Sequence, residues 1–410
     1  MLTAVASAPK KLQAVRALRH ANFRWLWLST SAQAVGRGMQ FLTLGWLVLE
    51  LTDSSSQLGL VLFLYGIPNL TLVLFGGILA DRIDRRMLLI TSQGTVTIIL
   101  LVLATLAISG WVNLWHIYVG SFILGTLQAL NMPSRMAIVS DLVDRDDLMN
   151  AVVLNSAMMN SGRIFGPAIA GGIIEIVDIG TALYVNAGFY LVGTACLLLI
   201  NGLSRPPAPS GRNPFKDLLD GLKFYWSTPV AFTVITIGFA FGFFTMPYVQ
   251  VMPAFAKETL DSGAGGAGLL IGAAGFGSLF ATVVLASLGN YPYKNWLLLG
   301  QILIFGLGLL FLAWSPWFWV SWGILFFVGA GSMVPMGTTI LQLTVPSEMQ
   351  GRVLSLWYVG AGFMFVGSLP MAMVAEAFGW QIAISGGALM FLLISLGLGL
   401  FRPYLRQLKI

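Results

Sequence analysis

Two arginines stand where a charge is hardest to keep. Arg37 lies within the apolar stretch 23–51 and Arg163 within the stretch 148–177. Each is about 13–15 residues from the start of its stretch, or about 20 Å along a helix that rises 1.5 Å per residue. A guanidinium is a planar fork of donors suited to bidentate contact with an oxyanion. Near the middle of a membrane an unpaired Arg costs at least about 2.5–3.5 kcal/mol. Each should therefore face a wet cavity, a carboxylate or backbone carbonyls. No acidic residue is comparably deep, because Glu50, Asp53, Glu175, Asp178 and Glu376 cluster toward the other end of their segments. Three readings stay open. The arginines engage polar neighbours such as Gln33, Gln40, Asn155 and Asn160, they attract an anionic substrate, or they modulate a proton relay.

Little else resembles reaction chemistry. There is no GxxxxGK[ST] loop and no HExxH, and the only histidines are His20 and His116. The single Cys196 lies in an apolar run and has no intramolecular partner. No Cys/His cluster is spaced to hold a metal. The chain is expected to have no cofactor, no metal and no catalytic constellation, so an enzyme is disfavoured.

Composition sets the elements that carry these residues. Of 410 residues, 57% are hydrophobic and 9% charged, and the mean hydropathy is +0.85. A soluble chain carries roughly 25% charged residues, so this one belongs in a bilayer. Cutting at Gly, Pro and charged clusters leaves twelve apolar segments: 23–51, 57–80, 87–109, 112–134, 148–177, 180–202, 229–255, 263–288, 295–315, 317–343, 351–377 and 380–401. Each can span a ~30 Å hydrocarbon layer as a helix. Continuous apolar runs lack the alternation of a barrel strand. An all-α membrane protein of twelve transmembrane helices is expected.

With the N-terminus inside, nineteen of the 22 Lys and Arg fall on the cytoplasmic side, Arg135 among them, and only Lys257 falls outside. That asymmetry predicts cytoplasmic termini. The net charge of +6 then reflects topology and lipid contact rather than nucleic acid. The basic leader, Lys10 to Arg24, shows no short apolar core or cleavage site of a removable signal.

The longest polar interruption, 203–228, carries an amphipathic pattern (Phe215, Leu218, Leu219, Leu222, Phe224) expected to lie at the membrane surface. It divides the chain into an N-terminal segment 1–22, a six-helix bundle 23–202, the linker 203–228, a second bundle 229–402 and a tail 403–410. A faint repeat relates the bundles. Asp53-Ser54 and Gly59-Leu60 recur as Asp261-Ser262 and Gly268-Leu269, at offsets of 208 and 209. Two pseudo-symmetric bundles with a site between them suit a transporter that rocks about that site.

The turn after the second segment reads Gly76-Gly77-Ile78-Leu79-Ala80-Asp81-Arg82-Ile83-Asp84-Arg85-Arg86. It resembles the signature loop of the major facilitator superfamily, G-x-L-a-D-r-x-G-r-r, with Asp84 in place of Gly. The Asp-Arg-x-Asp-Arg-Arg form, with Phe23-Arg24-Trp25-Leu26-Trp27 and Gly45-Trp46-Leu47-Val48, resembles the branch of enterobactin-type siderophore exporters and drug antiporters. Gly162-x-x-x-Gly166-Pro167, followed by Gly171 and Gly172, resembles the antiporter motif of the fifth helix, departing at Ala170 and Val153.

The resemblance implies a conformational gate of Gly77, Asp81, Arg82, Arg85, Arg86 and Asp141, with Asp81 near the start of helix 11 around Gly351. It implies a fifth-helix interface of Gly162, Gly166, Pro167 and Gly171 pressed against helix 8. The substrate cavity, by the same analogy, includes Gln33, Arg37, Gln40, Gln128, Asn131, Arg163 and Tyr248, with Phe243, Phe244, Gln250 and Met333 nearby. Glu50, Asp53 and Glu175 are the proton-coupling candidates. The expected function is proton-coupled efflux of a small amphipathic organic molecule, drug-like or siderophore-like, by a monomer in the bacterial inner membrane. Its rivals are an organic-anion importer or exchanger built on Arg37 and Arg163, and a lysophospholipid-handling or non-transporting membrane protein.

Overall fold

The computed structural model describes residues 15–80, 84–201, 214–288 and 294–401, and all regular structure among them is helical. In the first half, α1 (Ala21–Thr52), α2 (Ser55–Ala80), α3 (Arg85–Ile108), α4 (Leu114–Leu142), α5 (Arg145–Ile176) and α6 (Ile179–Leu198) follow one another through short turns. A surface helix α7 (Pro214–Ser227) leads into the second half. There α8 (Pro229–Ala240), α9 (Pro247–Gln250) and α10 (Met252–Thr259) make one broken rod. They are followed by α11 (Ala264–Ser287), α12 (Lys294–Ala313), α13 (Phe318–Ala330), α14 (Val334–Thr344), α15 (Ser347–Phe378) and α16 (Trp380–Phe401).

Among the described residues, eight helical stretches are long and apolar enough to cross a membrane. The others of spanning length are α1, α2, α4 and α5. Three of these four, α1, α4 and α5, bury amides or an arginine, so their lower hydropathy is a signature of polar work inside the bundle.

Two differences from the sequence expectation have local causes. The fourth segment does not stop at residue 134 but continues to Leu142 through Pro133. This carries Arg135 from its expected place in a cytoplasmic turn into the bundle, where it is only 1% exposed. The seventh span is interrupted by a wide turn, Phe241–Thr245, where Met246 N–H reaches back to Phe241 O. Pro247 has no N–H to give Phe243, and the widened turn absorbs that lost bond.

Within the first half α1 packs on α5 and α6, α2 on α4, and α3 on α4 and α6; within the second, α11 packs on α13, and α12 on α13 and α16. The halves meet along two seams, α5 on α11 and α2 on α15. Glycine makes the second seam possible. A Cβ on Gly66 would fall 2.1 Å from Phe365 Cβ.

The two ends of the bundle differ. At the end of the Asp53 turn (the far end), side chains cross from one half to the other. Lys257 pairs with Asp53 and donates to Leu49 O, and Ser55 donates to Glu258. The end carrying the chain termini (the near end) shows ion pairs inside the first half and one between α15 and the surface helix α7. Arg85 pairs with Asp141 at 2.8 Å, Arg16 with Asp147 at 2.8 Å, and Arg352 with Asp220 of α7 at 3.1 Å.

Candidate functional site

The residues nominated for the central cavity divide into two groups. Arg37 of α1 and Arg163 of α5 lie close enough for their charges to repel each other, with Tyr248 of α9 beside Arg163 and Tyr65 and Tyr190 near Arg37. Among the described residues neither guanidinium has a hydrogen-bond or ion-pair partner. Arg163 is exposed and Arg37 half-buried, so both border open space. About one helical turn farther along α1, toward the far end, Phe41 stacks on Phe365 with ring centres 5.6 Å apart. Tyr65 completes a three-ring partition, at 5.2 Å from Phe41 and 5.0 Å from Phe365.

The amides are more deeply engaged. Gln33 donates to Asn131 Oδ1 (2.9 Å), and Asn131 donates to Ser92 Oγ of α3 (2.9 Å). Arg135 donates to Thr30 Oγ1 at 2.7 Å and to Asn131 Oδ1 at 3.5 Å, leaving one terminal nitrogen without a partner. Thr30, Gln33, Arg37, Gln128, Asn131 and Arg135 line a small recess there, together with Met132 and Met159. Gln40 is held by Tyr190 OH at 3.0 Å and is buried, and Tyr248 is buried against Phe305. The structure thus brings Gln33, Arg37, Gln128 and Asn131 together and sets Gln40 and Tyr248 into packed surroundings. Arg135 lines the recess and was missing from the residues that sequence reading nominated for it. The available signal was an Asn131-to-Arg135 spacing of one turn, which puts both on one helix face.

The fifth-helix motif has two neighbours instead of the single one expected. Gly162 and Gly166 face α1 within their own half: a Cβ on Gly162 would lie 2.3 Å from Ala34 C and O, and one on Gly166 2.6 Å from Gly38 Cα. The eighth span meets the other side of the helix, where a Cβ on Gly275 would reach Ile164, one on Gly268 would reach Pro167 O and one on Gly171 would reach Ala264 O. The reason is periodicity. Gly162 and Gly166 are one turn apart on one face, and Pro167 and Gly171 share the next face round.

Of the gate residues, Asp81 and Arg82 lie outside the described residues, and Gly77 falls in the last turns of α2. Arg85 holds Asp141. Arg86 donates to Leu197 O (3.1 Å) and Leu198 O (2.8 Å), closing the end of α6. Asp84, the departure from the family pattern, accepts Met87 N–H at 2.9 Å and caps α3. The proton-coupling candidates all sit at the far end. Glu50 accepts Trp46 Nε1 at 2.9 Å, Asp53 holds Lys257, and Glu175 accepts the Gly265 N–H at 3.2 Å.

An all-helical fold with seams at α5–α11 and α2–α15 is matched by comparison with known proteins. A family model described as a transmembrane secretion effector, of the MFS type, covers residues 13–408. The chain belongs to that family. It is 28% identical over 344 residues to the staphyloferrin A transporter of Staphylococcus aureus, covering 82% of this chain and 85% of the relative. It is 26% identical over 392 residues to the enterobactin exporter EntS of Shigella boydii, covering 92% and 93%. In fold it is similar to the nucleoside transporter NupG, with a TM-score of 0.72 at 13% identity over 92% of this chain and 98% of the other. It is also similar to a bacterial homolog of the human lysosomal transporter Spinster in an inward-facing, unoccupied conformation, with a TM-score of 0.68 at 13% identity over 96% and 97%. This member of the family is a multi-pass membrane transporter, and its relatives are transporters rather than enzymes.

Proposed function

We propose that this transporter exports a siderophore-like organic molecule by alternating access, in exchange for protons, as a twelve-helix monomer of the bacterial inner membrane with both termini in the cytoplasm. The observation that carries the substrate reading is the pair Arg37 and Arg163. Two neighbouring guanidiniums bordering open space, with no carboxylate paired to them among the described residues, make a favourable seat for the carboxylates or phenolates of an iron-chelating ligand. The Phe41, Tyr65 and Phe365 rings close the seat on one side and supply apolar area for the rest of the molecule. Closure of the far end by Lys257–Asp53 and Ser55–Glu258 across the halves supports a state shut on that side.

Reconstituted vesicles with an imposed pH gradient test this. A hydroxycarboxylate or catecholate chelator should accumulate on the acidic side, and collapse of the gradient should abolish the accumulation. Gradient-independent movement in either direction would favour an organic-anion exchanger on the same two arginines. Background flux of chelators with persistent lysophospholipid movement would overturn the proposal.

A further inference from the structure

The Asp-Ser repeat has a structural counterpart that joins the halves. Among the described residues, Asp53 (φ 46°) and Asp261 (φ 45°) are the non-glycine residues with left-handed backbone. Each turns the chain into a helix of its half, α2 or α11, and in both cases the second amide of that helix is taken by a carboxylate from the opposite half. Glu376, in the last turn of α15, accepts Ser56 N–H at 2.6 Å and Ser54 Oγ at 2.7 Å. Glu175, in the last turn of α5, accepts Gly265 N–H at 3.2 Å. Ser56 and Gly265 are separated by the repeat offset of 209.

We propose that these two reciprocal caps are an acid-sensitive clasp: ionised Glu175 and Glu376 hold the far end shut, and their protonation or neutralisation releases it. This rests on the alternating-access reading. A carboxylate accepts from an N–H at a helix start and is favoured by the positive end of the helix dipole. A neutral carboxyl or amide loses that attraction, so closure weakens when the charge is removed. The other titratable groups around the clasp have partners of their own. Asp53 holds Lys257, Glu50 takes Trp46, Glu258 takes Ser55 and Trp380, and Asp178 accepts from Thr181 within its own half. Asp261 occupies the turn before α11.

The test is a distance measurement across the far end. Spin labels on Val177→Cys and Trp317→Cys, both exposed positions, are placed in a Cys196→Ala background in lipid nanodiscs and read by double electron–electron resonance. At pH 7 the Glu175→Gln/Glu376→Gln protein should raise the long-distance population about three- to thirtyfold relative to its parent, and each single variant about two- to fivefold. Taking the parent from pH 7 into strong acid should move it in the same direction. That measurement stands if the double variant does not fold. Asp178→Asn, which removes a carboxylate that does not cross the seam, should leave the distribution unchanged. Unchanged distances in the double variant, or equal opening by Asp178→Asn, would overturn the clasp. A parent whose distance responds to chelator while the double variant equals it would sink the clasp and leave alternating access standing. A parent that never changes distance would remove the reading beneath both.

Discussion

The two halves share a packing plan and differ in what they bury. The first half holds Gln33, Gln40, Gln93, Asn131, Arg135, Asn155 and Asn186 inside, and supplies both cavity arginines. The second half buries Gln250, Lys294, Asn295 and Gln301 nearer its edges and gathers rings around Phe305. Phe305 is 1% exposed and lies 4.7 Å from Phe241, 5.9 Å from Tyr248 and 6.3 Å from Phe391. The repeat therefore persists at the seams, where both halves must fit each other, and has been lost in the interiors. The first half supplies both arginines, and the second supplies the larger cluster of rings. A molecule with a charged end and an aromatic body fits such a division better than a bare ion does.

The comparison can be broken most forcefully in the second half. Phe305→Ala should lower stability by about 3 kcal/mol through lost packing, seen as a fall in the thermal midpoint in detergent. Arg135→Met should fall well short of that, because a well-packed apolar replacement of a buried charge is often tolerated. Equal costs would mean that the polar interior is as structural as the ring cluster.

Binding should divide the other way. Arg37→Gln and Arg163→Gln are each expected to weaken anionic chelators by about tenfold or more, the worth of a charge-assisted hydrogen bond, while neutral dyes bind as before. Phe243→Leu should weaken both classes alike. If the arginine variants lose dyes and chelators equally, the division of labour is wrong.

Packing changes come next. Gly162→Ala drives a methyl into the α1 backbone at Ala34 and should cost about 1–3 kcal/mol, and Tyr190→Phe, which frees Gln40, about 1 kcal/mol. The smallest effect sharpens the sign of an electrostatic term. Asp178 accepts from Thr181 N–H and Oγ1, both at 2.8 Å, and these bonds hold its carboxyl below the usual range. Its contribution is present above the ordinary carboxylate pKa and is lost as pH falls through the lowered one. Asp178→Ala should cost about 0.5 kcal/mol at neutral pH, and less in strong acid.

The sequence was most legible where one chain property decides the outcome. Apolar runs marked helices, and the depth of Arg37 and Arg163 followed from rise per residue. Asp53-Ser54 and Asp261-Ser262 matched because a left-handed turn before a helix favours few residue types. Pairings across long separations were not legible. Nothing near Glu376 foretells Ser56, 320 residues away. Arg135 was misplaced because Pro133 and a charge together imitate a helix stop, whereas Thr30 and Asn131 wait inside to receive it. The face shared by Gly162 and Gly166 could have been read from spacing, but which neighbour lies against it is a tertiary fact.

The ring partition and the carboxylate contacts beyond it lie one behind the other along the same path. Two barriers in series protect the membrane potential better than either alone, since a stray ion leaks only when both fail together. Phe41 and Tyr65 belong to the first half and Phe365 to the second, so on the proposed reading a small tilt would part the rings as a unit. On the proposed alternating-access reading, cargo passage and electrical insulation would be separated in time, so that a gradient could drive the cycle without being short-circuited.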